Sequence, residues 1–215
     1  AEECDNYKLD IVALTELHWP GQGKTRHGKW EIIHSGPDSV RRERTVGLML
    51  SPTSAKALQS YECISDRLMT ARFNCRHTKL TVIVCYAPTN SETCVDDVAD
   101  KDAFYNQLDD LASNIPKHDV QIIIGDMNAQ LGSDTDTWHP ALGKHAEGYL
   151  NDNGIRLLSF CQAHNLVVGS SLFPHKRIHK LTWNSPDGRT INQIDHTVVN
   201  RKWRNSLKDV RVHTL

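Results

Sequence analysis

The 215-residue sequence lacks a long apolar run, and it lacks an excess of charge of either sign. No hydrophobic stretch approaches the roughly 18 residues that a transmembrane helix needs, and no secretory signal peptide opens the chain. Lysine and arginine number 25 against 26 aspartates and glutamates, so the formal net charge is −1. Bulk charge therefore does not indicate nucleic-acid binding, and any phosphate contact must come from local basic clusters. We expect an intracellular protein, in the nucleus or the cytoplasm.

Cysteine patterns that would indicate a zinc site are also missing. The six cysteines, at positions 4, 63, 75, 85, 94 and 161, form no C-x-x-C pair and no zinc-ligand spacing. Cys85 and Cys161 lie among apolar residues, which predicts small buried side chains in a reducing compartment. The length fits one domain, residues 1–215, and 39% hydrophobic residues is ordinary for a globular protein.

Runs of strand length are frequent in this chain, and helical periodicity is rare. Strands are predicted at about 9–14, 30–34, 46–50, 61–73, 79–86, 120–125, 165–169, 180–184, 191–199 and 208–213. One helical stripe comprises Phe104, Leu108, Leu111 and Ile115, with Asp100 or Asp102 as its N-cap and Pro116 as its end. A second stripe comprises Gly154, Leu157, Leu158 and Cys161, with Asn151 or Asn153 near its start and Asn165 as a left-handed cap. Many strands and few helices predict an α/β fold of two packed sheets covered by helices.

The most informative motif is the apolar run Ile122-Ile123-Ile124 followed by Gly125-Asp126-Met127-Asn128. A short, continuously apolar run indicates a strand buried on both faces. Asp126 and Asn128 then lie on the loop at its carboxyl end, where open α/β sheets usually place their sites. An acid and an amide at this spacing can act together on one substrate group, with Asp126 as the base. An Asx turn that merely closes the strand is the structural alternative, and the tetrapeptide alone leaves it open.

Three further strands carry a polar group, in Thr15-Glu16, in Tyr86-Ala87-Pro88-Thr89-Asn90 and in Asn192-Gln193-Ile194-Asp195. Four such strands look like one assembled site. With these motifs the chain resembles the endonuclease/exonuclease/phosphatase family, the metal-dependent fold of DNase I and the abasic-site endonucleases. Within that family it is similar to endonuclease domains of non-LTR retrotransposons and to craniofacial development protein 2-like proteins. The motifs that carry the resemblance lie at 8–11, 15–19, 85–90, 125–130, 151–154, 173–183 and 192–195.

The resemblance implies a DNase I-like four-layer α/β sandwich, in which two packed mixed β-sheets are flanked by helices. It implies Mg²⁺ as the cofactor, with Mn²⁺ able to substitute, and Glu16 as the metal ligand. It also implies that Asp126 activates water, Asn128 orients the substrate, Tyr86 faces the phosphate and Asp195 orients a catalytic histidine. The structural alternatives are a capping carboxylate at Glu16 and a strand-end aromatic residue at Tyr86.

Substrate contacts are expected from Asn90, Asn153, Lys176 and Arg177. Asn153 could equally be an N-cap. The basic clusters at 175–180 and 201–204 suit phosphate contacts, although each alone could be a solvated surface. Trp183 is expected in the core rather than stacked on a base.

The chain departs from the family pattern at both ends. The family carries an asparagine near the metal in its first strand and ends in Ser-Asp-His, and neither feature occurs here. We therefore expect a chain truncated at both ends, an incomplete nuclease with little activity of its own. His213 is expected to be structural and to lie in a strand. His196 stands where the family commonly has tyrosine, and it is expected to face away from Asp195 and to serve packing.

The leading hypothesis is a Mg²⁺-dependent DNA endonuclease of the retrotransposon type, which nicks DNA and leaves a 3′-hydroxyl. The expected partner is DNA, bound by a monomer, with a reverse transcriptase domain in the full-length protein. One alternative is a phosphomonoesterase acting on inositol phosphates or lipid head groups, but the Trp-Cys-Asp-Arg motif of such relatives is absent at 192–195. A catalytically inactive domesticated domain is the other alternative.

Overall fold

A computed structural model describes residues 1–38, 44–89, 95–185 and 187–213, with the backbone alone at 95–97. The chain forms two compact units. The first comprises Ala1–Tyr86 and Pro116–Gly125, and the second comprises Ala87–Ile115 and Asp126–Leu215. Over the residues so described, no helix is both long enough and apolar enough to cross a membrane.

The first unit is built mainly of strands. Its elements are α1 (Glu2–Asn6), β1 (Ile11–Thr15), β2 (Gln22–His27), β3 (Trp30–Ser35), β4 (Val46–Leu50), α2 (Pro52–Ala57), β5 (Leu58–Cys63), β6 (Leu68–Asn74), β7 (Lys79–Tyr86) and β8 (Val120–Asp126). One sheet has the order β1-β4-β3-β2, and its neighbours pair antiparallel, as at Thr15↔Val46. The other runs β5-β6-β7-β8 through this unit, with β5, β6 and β7 antiparallel.

The core of the first unit lies between these two sheets. Buried Ile33, Leu48 and Leu50 of one sheet pack with Met69 and Phe73 of the other in a single apolar cluster. Every residue of β4 is buried, which explains its continuously apolar sequence. The two packed sheets and the α/β class expected from the sequence are therefore confirmed.

The second unit carries the two long helices. Its elements are α3 (Val95–Asn114), α4 (Asp152–Ala163), β9 (Leu166–Val168), β10 (Trp183–Asn184), β11 (Ile191–Asn192) and β12 (Asp195–Asn200), with 3-10 turns at Gly169–Ser171, Arg177–His179 and Arg201–Ser206. β9 pairs antiparallel with β12, and β10 pairs antiparallel with β11. Asn151 caps α4 by accepting a hydrogen bond from the Gly154 N–H at 2.7 Å. The predicted left-handed Asn165 is confirmed, with φ at 56°.

Several predicted boundaries are wrong. The run 61–73 is two strands, β5 and β6, because a turn near Ser65 interrupts it. Residues 208–213 form no strand, and β2 was not predicted because its residues are largely exposed and polar. α3 begins at Val95, so neither Asp100 nor Asp102 is its N-cap.

Candidate active site

In the first unit, the structure brings Glu16 and Tyr86 together. Glu16 follows β1 directly, is exposed, and has a left-handed backbone with φ at 55°. The Tyr86 hydroxyl, at the end of β7, donates a hydrogen bond of 2.6 Å to Oε1 of Glu16. A left-handed non-glycine residue is uncommon and is often found where a side chain must be aimed. Glu16 and Tyr86, two site residues predicted from separate motifs, are therefore in direct contact.

Arg67 fixes the position of Tyr86. The Tyr86 N–H donates to the Arg67 carbonyl at 2.9 Å, and Nη1 of Arg67 donates to the Tyr86 carbonyl at 3.0 Å. The guanidinium carbon also lies 5.3 Å from the centre of the tyrosine ring, in cation–π range. The sequence analysis missed Arg67, and no motif around it indicates this role.

The donor set at Glu16 suits magnesium. The described residues contain no cluster of three or more histidine, cysteine, aspartate or glutamate side chains that could hold a metal. Magnesium needs no such cluster, since it keeps several waters and takes only one or two protein carboxylates. An exposed, hydrogen-bonded carboxylate such as Glu16 fits that requirement as a single ligand.

Gly125 sets the geometry where β8 ends. Its φ is +146°, and a Cβ atom added there would lie 1.9 Å from the Cys85 carbonyl oxygen of β7. No side chain can be accommodated at that distance, so the glycine of the Gly-Asp-x-Asn motif is a steric requirement.

In the second unit, Asp126 and Asn128 form one tight turn. Oδ1 of Asp126 accepts the Asn128 N–H at 2.8 Å, and Asn128 has a left-handed φ of 46°. The Asp126 carbonyl accepts from the Ala87 N–H at 2.8 Å, and Nδ2 of Asn128 donates to the Ala87 carbonyl at 2.9 Å. The Asx turn offered as the structural alternative is therefore present. It also holds the Asp126 carboxylate in one orientation, so the two interpretations are compatible.

Asn153 lies beneath this turn. The side chain has no exposed surface, and Nδ2 donates to the carbonyls of Pro88 at 2.8 Å and Asn128 at 3.3 Å. The expected contact between the Asn153 side chain and DNA is wrong, because a fully buried amide has no surface to offer. The alternative role as N-cap is also wrong, since Asn151 occupies that position. Asn153 positions the loop that carries Asp126 and Asn128.

Asp195 opens β12 and lies in the same unit. Oγ1 of Thr182 accepts the N–H groups of Ile194 at 3.0 Å and Asp195 at 3.2 Å. The Ile194 carbonyl accepts the Met127 N–H at 3.0 Å. The Asp126 turn and the Asp195 strand are thus joined through their neighbouring residues, Met127 and Ile194.

His196 is buried with 3% of its surface exposed. Its Nε2–H donates to the Ala129 carbonyl at 2.8 Å, so Nδ1 is left to accept from the Ser170 hydroxyl at 3.2 Å. Burial lowers the pKa of His196 to about 4, with the Ala129 bond opposing the shift. The ring is neutral near pH 7, which agrees with the structural role expected for it.

The remaining predicted residues fall in different surroundings. Lys176 and Arg177 are exposed at the 3-10 turn Arg177–His179, and Asn90 lies outside the described residues. Trp183 is 40% exposed on β10, so the expectation that it belongs to the core is wrong. His213 is exposed and contacts Arg211 Nε at 3.3 Å, outside any strand.

Comparison with known proteins gives relatives of both sequence and fold. Craniofacial development protein 2 from Tragulus javanicus is 34% identical over 213 residues, and the match covers 98% of this chain. The protein of the same name from Bos taurus is also 34% identical over 213 residues. The chain spans about a third of the length of these curated relatives, 35% and 34% respectively.

Solved structures share the fold at low sequence identity. The 3′ phosphatase NExo from Neisseria, bound to a product DNA hairpin, has a TM-score of 0.69 at 16% identity, covering 98% of this chain and 85% of that one. The catalytic domain of Xenopus laevis APE2 has a TM-score of 0.68 at 16% identity, covering 95% and 78%. The endonuclease domain of TRAS1, a telomere-specific non-LTR retrotransposon, has a TM-score of 0.59 at 12% identity, covering 95% and 78%.

The family comparison extends over nearly the whole chain. The model of the endonuclease/exonuclease/phosphatase family matches residues 1–214. The chain belongs to the endonuclease/exonuclease/phosphatase family.

Proposed function

We propose that this chain is the nuclease domain of a Mg²⁺-dependent DNA endonuclease of the retrotransposon type. The observation that carries the proposal is the Asp126 turn, in which the Asn128 N–H holds one carboxylate oxygen at 2.8 Å. That bond orients the carboxylate, as a general base requires. The endonuclease domain of TRAS1 and the product DNA hairpin bound to NExo support DNA as the substrate.

Asp126 serves as the general base. Its carboxylate takes a proton from a water, whose oxygen forms a bond to phosphorus while the bond from phosphorus to the 3′ oxygen breaks and that oxygen takes up a proton from solvent. The products are a 3′-hydroxyl and a 5′-phosphate. A positioned base of this kind contributes about 10²–10⁴-fold in rate. Asp195 has the family role of orienting the group that assists the leaving oxygen.

Glu16 would hold the cation, with Tyr86 as its orienting partner. A bound Mg²⁺ stabilises the negative charge that develops on the phosphate. Mn²⁺, which also prefers oxygen ligands, should substitute. The Tyr86 hydroxyl, which donates to Glu16 in this structure, would also be a donor for a phosphate oxygen. Lys176 and Arg177, both exposed, supply phosphate contacts that position the strand.

The test is nicking of supercoiled plasmid by the product of the complete reading frame that encodes these 215 residues. We expect open-circular product with Mg²⁺ or Mn²⁺, loss of nicking in chelator, and ends that a DNA polymerase extends. Undiminished nicking in chelator would contradict the metal assignment.

A second substrate, a 3′-phosphorylated oligonucleotide, distinguishes the nuclease from a phosphomonoesterase and from a non-enzymatic domain. Release of inorganic phosphate from a 3′-phosphorylated oligonucleotide, with no internal cleavage, would instead indicate a phosphomonoesterase. A folded protein that is inactive on both substrates would support the domesticated, non-enzymatic alternative.

A further inference from the structure

The second unit contains a cavity of about 710 Å³. Its size falls in the range of small-molecule sites, roughly 300–1,000 Å³. Residues on its wall include Gln130, Glu147, Tyr149, Arg177, Arg189 and Gln193. Asp126, Asn128 and Asp195 are not part of the lining that the structure describes, whereas Arg177, proposed above for a phosphate contact, is part of it.

One wall of the cavity is held by a buried lysine. Nζ of Lys180 donates to the His145 carbonyl at 2.7 Å and pairs with Oε1 of Glu147 at 3.2 Å. The Tyr149 carbonyl accepts the Gly132 N–H at 3.1 Å. These contacts fix the backbone from 145 to 149, so this wall is formed before any ligand arrives.

Another part of the wall is formed by residues 189–193, and Thr190 among them is hydrogen-bonded to Ser185. The Ser185 N–H donates to the Thr190 carbonyl at 2.8 Å, and the Thr190 N–H donates to Ser185 Oγ at 2.9 Å. Trp183 of β10 pairs with Asn192 of β11. Arg189 and Gln193 therefore lie beside hydrogen-bonded residues.

The cavity wall is electropositive. Arg177, Lys180 and Arg189 carry three positive charges against the one carboxylate of Glu147, which Lys180 already neutralises. Nε of Arg189 lies 3.7 Å from Oδ2 of Asp187, and both side chains are largely exposed. In the part of the chain with described side chains, no acid lies within ion-pair distance of Arg177. Two exposed guanidinium groups facing one cavity suit a phosphate, to which arginine can bind bidentately.

The rest of the lining suits a planar, hydrogen-bonding group. Tyr149 lines the cavity although 86% of its surface is exposed, which is a large exposed fraction for an aromatic residue. Gln130, Asn192 and Gln193 each bring an amide able to donate and to accept. An exposed aromatic face beside amides matches the stacking surface and the polar edge of a nucleobase.

We propose that this cavity binds a nucleoside monophosphate unit, with its phosphate on Arg177 and Arg189 and its base against Tyr149. The unit is either a free nucleotide or one nucleotide of a single strand. The strand form rests on the proposed nuclease function, because a strand held here would be part of the DNA substrate. The binding of a mononucleotide does not depend on that function.

Calorimetric titration with dAMP, adenosine and inorganic phosphate tests the proposal. The titrations contain chelator, so that hydrolysis plays no part and failure of the nuclease proposal leaves the result unaffected. We expect dAMP to bind more tightly than either of its parts. Equal affinity for dAMP and inorganic phosphate would leave only an anion site and overturn the proposal, as would the absence of dAMP binding by the folded protein.

Substitutions of two lining residues test whether Arg177 binds the phosphate and whether Tyr149 stacks on the base. Arg177→Gln should weaken dAMP binding about tenfold, because a charge-assisted hydrogen bond is lost. Tyr149→Ala should weaken it by a similar factor, about tenfold, whereas Tyr149→Phe keeps the ring and should bind like the wild type. Lys208→Gln, an exposed charge outside the lining, is the matched control. An unchanged affinity in both Arg177→Gln and Tyr149→Ala would place the nucleotide elsewhere.

A short oligonucleotide distinguishes a site for a free nucleotide from a site for one nucleotide within a strand. A deoxyadenosine trinucleotide with hydroxyl ends carries only internal phosphates. Binding at least as tight as that of dAMP, and equally sensitive to Arg177→Gln, supports a nucleotide within a strand. Binding of dAMP alone supports a free nucleotide.

Discussion

The Tyr86 hydroxyl donates a hydrogen bond of 2.6 Å to Oε1 of Glu16, although 70 positions separate the two residues in the sequence. A phenol bonded to a carboxylate restricts the rotamers of both side chains. The left-handed backbone of Glu16 adds a second restriction. The proposed role of Glu16 as a metal ligand is therefore testable at both residues of the pair.

Glu16→Gln should raise the Mg²⁺ concentration needed for half-maximal nicking and lower the maximal rate. The amide keeps the shape of the side chain but removes the charge that attracts the cation. Tyr86→Phe should have a smaller effect, about 10–100-fold on metal affinity or activity, as for other partners of metal ligands. Plasmid nicking across a Mg²⁺ titration measures both.

Glu62→Gln serves as the control for this pair, because Glu62 is an exposed carboxylate on β5 of the same unit. Wild-type metal dependence in Glu16→Gln would remove Glu16 from the metal site.

Asp126→Asn should lower the nicking rate by about 10²–10⁴-fold without unfolding the protein. Asparagine retains an Oδ1 atom that accepts the Asn128 N–H, so the turn persists while the base is lost. Single-turnover nicking at saturating Mg²⁺ gives the rate, and circular dichroism checks the fold.

The matched substitution Asp110→Asn changes an exposed carboxylate on α3 in the same unit, and its rate should equal that of the wild type. If the folded Asp126→Asn protein nicks at the wild-type rate, the base is another residue.

The sequence predicted those features that depend on short-range patterns. The apolar run before Gly125 predicted β8, although only Ile123 of its three isoleucines is fully buried, and the polar residues after it predicted the Asp126 turn. Asn165 and one of the two candidates for the N-cap, Asn151, were placed correctly at the ends of α4 because capping chemistry is local. In each case a few neighbouring residues determine the structure.

Features that depend on distant partners were not predicted. Arg67 contacts Tyr86 across 19 positions, and the Asn153 amide is used by the Pro88 carbonyl 65 positions away. Trp183 was assigned to the core from its aromatic character, yet the two-residue strand β10 leaves it exposed. Hydrophobicity alone does not report how much neighbouring chain covers a residue.

Asn153→Ala should destabilise the second unit by about 1–3 kcal/mol, the cost of leaving a buried carbonyl without a donor. The Pro88 carbonyl loses its bond from Asn153, whereas the Asn128 carbonyl keeps the bond from Asn151 at 3.1 Å. Thermal unfolding should show a midpoint lower by about 2–4 °C per kcal/mol. Asn106→Ala, at an exposed position of α3, should be neutral or slightly stabilising because alanine favours helix. Equal midpoints for the two variants would mean that Asn153 does not support the loop.

His196 should make the protein sensitive to acid. Burial lowers its pKa from the ordinary 6.5 to about 4, so between these values the unfolded state binds the proton and the folded state does not. The stabilisation is complete above pH 6.5, falls as the pH drops toward 4, and is lost below that. A shift of this size corresponds to about 3 kcal/mol in the free energy of unfolding.

Urea unfolding from pH 7 to pH 4 should show this loss in the wild type and a flatter dependence in His196→Gln, which has no titrating ring. His77→Gln, at an exposed histidine, should keep the wild-type slope. If His196→Gln instead follows the wild-type curve through this window, the acid sensitivity comes from other groups and His196 is not the buried neutral residue that its bonds to Ala129 and Ser170 indicate.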